Sequence, residues 1–335
     1  MRKVVFLSAL AALLCLAPPL MAQEELVGKD ASDFTVGDML FDGDVLARNF
    51  EDSRGEVILI KYWGLKCGPC LASMPKVQKL WTDYKDKGLH IFHVESQNHT
   101  PEEIQGYCEK KGYDFPQTLR SGATDFTGYP GGNGLPYAFL VGVDGKVIWQ
   151  GRQGYEQVIA AEIKKVRYAG LGKTEIAPDL KKSAKLFSIR KYSGAIKEAR
   201  KRLEAAKSEG GDAAAIPDAE YIIERANRVG ERMMDSAETA KEDREYGRAI
   251  GTLKRILKQF KGLPIAEEAE VEIARLKQDR EVKKQLRAEK NLAALMQAIK
   301  KAPTKEKQAA MLRAFAKKFD GMKAAEKALS RAENL

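Results

Sequence analysis

The chain has 335 residues, 44 % of them hydrophobic, which is enough for two domains with cores of their own. Its net charge of +10 is uneven: residues 23–170 hold 17 Lys and Arg against 21 Asp and Glu, whereas residues 171–335 hold 38 against 26. Four cysteines exclude a disulfide-rich scaffold, and the basic half alternates its positive charges with acids as a solvated helical surface does, so no nucleic-acid partner is expected.

Arg2 and Lys3 precede an apolar run, Val4 to Leu16, and Pro18-Pro19-Leu20-Met21-Ala22 follows with a small residue at its end. The run is short for a membrane span and has the form of a secretory signal over residues 1–22, so the mature chain is expected to start near Gln23 in a periplasm or outside the cell. Lipid attachment at Cys15 would need a small residue before it, and Leu14 stands there. No later segment is apolar enough to span a bilayer. Cys67, Cys70 and Cys108 remain after cleavage.

Asp42-Gly43-Asp44, between Met39-Leu40-Phe41 and Val45-Leu46, predicts a hairpin, and Asp52-Ser53-Arg54-Gly55 predicts a turn. Val57-Ile58-Leu59-Ile60 reads as a buried strand. A helix runs from the Cys67-Gly68-Pro69-Cys70 segment to about Lys87, and Leu89 to Val94 form the next strand. Thr100-Pro101-Glu102-Glu103 is a capping box opening a helix to about Lys111. Beyond a Gly-rich loop at 129–134, strands at Tyr137–Val143 and Lys146–Gln150 share the turn Asp144-Gly145, and a helix spans about Glu156 to Tyr168.

From Gly170 the pattern changes. Residues 170–180 read as a linker, and 181–335 as an all-helical domain. Apolar stripes recur at three- and four-residue steps, one from Ala219 to Ala237 and one from Ala249 to Phe260, with breaks at Gly210-Gly211, Gly262-Leu263-Pro264 and Ala302-Pro303-Thr304. Arg190-Lys191-Tyr192-Ser193-Gly194-Ala195-Ile196 matches Arg244-Glu245-Tyr246-Gly247-Arg248-Ala249-Ile250, and Phe260-Lys261-Gly262 matches Phe319-Asp320-Gly321. The helix pairs resemble tetratricopeptide hairpins.

Two cysteines two residues apart are either a redox pair or half of a metal site. Zinc wants four protein ligands, no second such pair exists, and His90, His93 and His99 offer no fitting spacing. A thiol at a helix N-terminus meets unsatisfied N–H groups and the positive end of the dipole, both favouring its thiolate. Cys67 has that place, with Lys66 beside it.

Trp63, the Cys67-Gly68-Pro69-Cys70 motif, Pro75 and Leu135-Pro136 ahead of a strand together resemble the thioredoxin fold, over about residues 26–168. The leading hairpin, the export signal and the helix at Thr100 are most similar to extracytoplasmic thioredoxin-like reductases of the redoxin type. The resemblance implies an α/β thioredoxin-like fold, a central mixed sheet flanked by helices over residues 23–169. It implies Cys67 as nucleophile, Cys70 as resolving thiol and a cis Pro136 that exposes the Leu135 backbone to substrate. Trp63, Gly68 and Pro69 join Leu135 as substrate contacts. It implies protein thiols and disulfides as substrates, an upstream electron donor, and no cofactor or metal beyond the Cys67–Cys70 disulfide. Gly68-Pro69 adds no His between the cysteines, which predicts a reducing potential.

One position departs from the pattern: Lys61 stands where the family has a buried acid serving proton transfer to the second cysteine. His93 and Glu95 share one face of the next strand, which suggests a Lys61–Glu95 pair, with Glu95 or His93 assisting Cys70. The alternative is a Lys61 that snorkels outward and a Glu95 in solvent. Cys108 shares a helix face with Ile104 and Tyr107 and reads as a buried, inert thiol. The expected activity is exported thiol–disulfide exchange, the helical domain docking a partner. The alternatives are a helical interaction protein with an accessory redox domain, and a peroxiredoxin-like peroxidase, which would need a Thr shortly before a lone cysteine.

Overall fold

The computed structural model describes residues 25–333 except 32–33, 36, 38, 42–48, 120–125, 128–133, 209–211 and 300. The signal segment, the Asp42-Gly43 turn with its second strand, most of the loop at 129–134 and the Gly210-Gly211 break lie outside the described residues.

The apolar run extends into strand β2 (Val57–Trp63), buried at every residue. A strand covered on both faces has no polar side, which is why it reads as a continuous run and not as an alternation. It lies inside a six-stranded sheet of order β1-β4-β3-β2-β5-β6. The other strands are β1 (Met39–Phe41), β3 (Leu89–Glu95), β4 (Gln117–Thr118), β5 (Tyr137–Val141) and β6 (Val147–Gly151). β3 runs parallel to β2 and to β4, while β5 is antiparallel to β2 and β6. β4 is unexpected, since two residues leave no period to detect, and it is the partner of β1 at the sheet edge.

Helices α1 (Gly68–Tyr84), α2 (Pro101–Lys111) and α3 (Tyr155–Glu162) cover one face. There Met74, Val77, Ile104, Cys108 and Ile159 meet Val57, Leu59 and Trp63. The N-terminal segment covers the other, with Leu26, Ala31 and Phe34 on Ile58, Ile60, Tyr62 and Phe92. The capping box at Thr100 forms as expected. α3 ends earlier than its pattern suggests: Ile163–Lys165 tighten into a 3₁₀ turn, and Tyr168 leaves to join the helical core. This is the thioredoxin-like arrangement.

The second half is helical throughout its described residues: α4 (Lys181–Ser188), α5 (Tyr192–Lys207), α6 (Ala215–Glu242), α7 (Tyr246–Gln259), α8 (Pro264–Gln278), α9 (Arg280–Ile299), α10 (Lys305–Lys318) and α11 (Lys323–Glu333). The sequence matches take matching turns. Arg190 and Arg244 both sit in the left-handed region, at φ 57° and 59°, and each is followed by an N–H reaching back into the preceding helix, Lys191 to Leu186 and Glu245 to Ala240. Gly262 and Gly321 likewise have φ of 78° and 75°. The break between α8 and α9 carries no glycine or proline; its mark is Asp279, whose carboxylate accepts the Val282 N–H at 3.0 Å.

The segment at 170–180 is a packed joint instead of a solvated tether. Leu171, Ile176 and Leu180 are buried in the helical core. Arg225 of α6 is fully buried and donates to the Asp52 carboxylate, to the Asp52 carbonyl at 2.8 Å and to the Gly170 carbonyl at 3.2 Å. Arg232 reaches the other Asp52 oxygen at 2.8 Å. Burial alone would raise the Asp52 pKa, but the charges of Arg225 and Arg232 outweigh it and hold the carboxyl below its usual range. A depressed carboxylate contributes stability above its unfolded value, and that contribution is lost as pH falls through the folded one. Asp52→Ala leaves a buried guanidinium unpaired and is expected to destabilise the junction by about 3–5 kcal/mol. Urea unfolding at pH 7 checks this, and the difference from wild type should shrink as the buffer is taken toward pH 3.

Candidate active site

β2 ends at Trp63, and the turn Gly64-Leu65-Lys66 passes the chain to α1. Cys67 is the N-cap of that helix, its sulfur accepting the Cys70 N–H at 3.2 Å. The two cysteines form a disulfide. Cys67 keeps 8 % of its surface exposed and Cys70 none, so a partner can reach only the first sulfur. Gly68 and Pro69 are exposed at the mouth. Pairing of Tyr62 with Tyr137 brings the start of β5 to the same end of the sheet. The Leu135–Pro136 bond there is cis, and Leu135 packs against the apolar cluster that contains both cysteines.

Trp63, expected among the substrate contacts, is fully buried and stacks on His93 at 4.8 Å between ring centroids. Cys108 is buried and free, its thiol pushed up to about 12 by burial and the nearby Glu109 charge, an inert state.

Lys61 is fully buried against α1. Its ammonium donates to Ser73 Oγ at 2.8 Å, and Ser73 donates to the Cys70 carbonyl at 2.7 Å. Both expected placements fail: Lys61 does not snorkel outward, and its ammonium bonds Ser73, not Glu95. Strand register explains it, because Lys61 lies opposite His93, two residues short of Glu95. Burial lowers the Lys61 pKa to about 8, partly opposed by the Glu156 charge. Burial, with the charge of Lys61, also pushes the His93 imidazole well below its ordinary value, against the pull of its hydrogen bond to Gln117. His93 is therefore neutral near pH 7.

Glu95 is buried too, and not in solvent. Its carboxylate accepts the Gln97 N–H at 2.9 Å and the His99 N–H at 3.2 Å, and pairs with His99 Nδ1 at 2.7 Å. It shapes the loop after β3. From that loop Gln97 Oε1 accepts the Lys66 N–H at 2.8 Å. Ser73 and Gln97 were not evident from sequence. Ser73 had a signal, a hydroxyl three residues after Cys70 that can back-bond to its carbonyl. Gln97 had none, because its contact spans 31 residues. No group of three or more metal-ligating side chains gathers among the described residues.

The redoxin family matches residues 26–166. Thiol-disulfide oxidoreductase ResA of Bacillus thuringiensis (strain Al Hakam) is 31 % identical over 134 residues, 39 % of this chain and 74 % of that protein. ResA of Halalkalibacterium halodurans is 26 % identical over 121 residues, 36 % of this chain and 65 % of that one. Among solved structures, the thioredoxin domain of a thiol-disulfide oxidoreductase from Bacteroides vulgatus is 22 % identical, with a TM-score of 0.34, covering 43 % of this chain and 99 % of that domain.

Lys61 gives a test of the site's electrostatics. Its pKa falls from 10.5 unfolded to about 8 folded, so between those values the unfolded chain binds the extra proton and stability rises with pH. Below pH 8 the full cost of the buried charge is present, about 3 kcal/mol from the shift. Lys61→Met removes that cost and a hydrogen bond of about 1 kcal/mol. It is expected to stabilise the oxidised protein by roughly 2 kcal/mol at pH 7 and by much less at pH 10. Urea denaturation at the two pH values measures it; equal effects at both would place Lys61 outside the titration.

Proposed function

We propose, since the chain belongs to the ResA-type thiol–disulfide oxidoreductases of the redoxin family, that it reduces disulfides of exported proteins through Cys67 and Cys70. The observation that carries this reading is the asymmetry of the pair: one sulfur is reachable at a helix N-terminus, and the other is sealed beneath it. In the reduced protein the Cys67 thiolate attacks one sulfur of a partner disulfide, and the other partner sulfur leaves as a thiolate. The Cys70 thiolate then attacks the Cys67 sulfur and releases the partner's second thiolate. Two electrons pass to the partner and the Cys67–Cys70 disulfide closes. The cysteine pair suffices for this exchange without metal or organic cofactor, and an upstream thiol donor has to restore it.

Cys70 must lose a proton in a site closed to water. The Lys61 ammonium, linked to the Cys70 backbone through Ser73, favours the Cys70 thiolate by charge, and that support fades as pH rises through about 8. Lys61 thus replaces the expected acid as an electrostatic partner. Pro136 and Leu135 would offer backbone to the substrate beside Gly68 and Pro69.

Residues 1–22 would act as the export signal, placing the enzyme in a periplasm or outside the cell. No described helix is long and apolar enough to cross a membrane. Residues 23–169 would form the redox domain and 181–335 a tetratricopeptide-like domain that docks a protein partner, joined at 170–180. The matched turns at Arg190 and Arg244 and at Gly262 and Gly321 support the repeat.

Insulin reduction with dithiothreitol tests the activity. Wild type should accelerate it, Cys67→Ser should abolish the acceleration, and Cys70→Ser should accumulate a mixed disulfide on non-reducing gels. An inactive wild type would favour a helical interaction protein with an accessory redox domain. For Lys61, stopped-flow reduction of a peptide disulfide should show an inflection near pH 8 in wild type that Lys61→Met loses, with the second step slowed about tenfold at pH 7, the effect of one pKa unit on Cys70.

A further inference from the structure

The turn that carries Cys67 is gripped from the loop that follows β3. Gln97 Oε1 holds the Lys66 N–H at 2.8 Å, one peptide before the nucleophile. The turn is shaped for this contact: a Cβ on Gly64 would stand 2.2 Å from Gln97 Oε1 and 2.3 Å from its Cδ. Gly64 is thus the gap through which the amide passes, and the Cys67 N–H closes the same turn on the Gly64 carbonyl at 3.1 Å.

Gln97 is itself held. The Ser96 N–H continues the strand pairing to the Trp63 carbonyl at 2.9 Å, and Asn98 turns the chain with φ 60°. The Glu95 carboxylate gathers the Gln97 and His99 N–H groups and the His99 ring. That carboxylate and that ring are nearly sealed, with side-chain exposures of 3 % and 7 %. A buried, fully engaged acid of this kind fixes local geometry.

The geometry points to Gln97 as a positioning residue for the proposed exchange, its amide oxygen fixing the turn that delivers the Cys67 sulfur to the start of α1. Glu95 acts behind it, as the group that aims Gln97, and not as a proton carrier for Cys70. The inference rests on the oxidoreductase reading for its consequence but not for its geometry. A sulfur over a helix N-terminus is stabilised as thiolate only while it stays aligned with the N–H groups of the first turn. Loosening the Lys66 peptide lets the sulfur wander from them.

The experiment uses the full mature protein and three variants: Gln97→Met, which keeps length but removes the acceptor; Gln97→Glu, which keeps an acceptor oxygen; and Gly64→Ala, which displaces the amide without altering it. Hydrogen exchange of the Lys66 amide reads the grip directly. Protection is expected in wild type and Gln97→Glu and lost in Gln97→Met and Gly64→Ala. In the reduced proteins, the pH dependence of iodoacetamide alkylation at Cys67 should move upward in Gln97→Met, slowing alkylation about tenfold at a pH below both midpoints, one pKa unit in thiolate fraction. Thermal midpoints separate these effects from general unfolding. Unchanged Lys66 exchange, or an alkylation profile that stays put or moves downward in Gln97→Met, overturns the inference. An intact grip in a wild type that reduces no insulin would count against the oxidoreductase reading alone.

Discussion

The redox site depends on how firmly β2 is held, because Cys67 is delivered only four residues beyond its end. A thiolate at a helix N-terminus gains from dipole and N–H groups over a short range, so a small displacement of the strand end would forfeit the gain. β2 is buried on both faces and bonded on both edges, parallel to β3 and antiparallel to β5. The same pairing puts the cis Leu135–Pro136 bond beside the cysteines and Lys61 beneath them.

Lys61 is the place where local physics and site chemistry disagree. An apolar residue there would suit a fully buried strand better, since desolvating an ammonium is costly. The cost is moderated in three ways. Ser73 Oγ accepts a hydrogen bond from the ammonium, Glu156 contributes opposite charge, and the pKa falls until the neutral amine is within reach of physiological pH. A residue that breaks the packing rule at an otherwise consistent site points to function. His93 opposite it stays neutral chiefly because it is buried, and the Lys61 charge adds to that effect.

Much of this was open to reading from the sequence because it is local. The strand at Val57, the capping box at Thr100, the turn at Asp144-Gly145 and the cysteine pair each declare themselves within a few residues. The neighbourhood of Lys61 could not be read the same way. Strand alternation put His93 and Glu95 on the correct face, but the register that sets Lys61 against His93 is fixed by pairing between distant segments. The burial of Trp63 was hidden for a related reason: a motif residue near the redox cysteine can still point inward. The joint at 170–180 looked like a linker because its glycines and proline are turn formers, yet Leu171, Ile176 and Leu180 between them carry the apolar contacts that matter.

The helical half meets the redox half at the end of the sheet away from Cys67. Asp52 and Glu56 precede β2, and they receive Arg225, Arg232 and the Gly170 N–H. Asp86, just ahead of β3, receives Arg190. Glu109, near the end of α2, receives Arg331 of α11, 222 residues further along the chain, so the last helix returns to the redox half. A strand of seven residues is about 23 Å long, which separates these contacts from the cysteines by nearly the depth of the domain. The mouth is left open while the start of β2 is tied into a second core. Its other end is bonded to Ser96, and the turn beyond it to Gln97. A strand fixed at both ends by different partners can hold a buried lysine and a cysteine at the mouth of the site at once, because neither has to be accommodated by movement of the other.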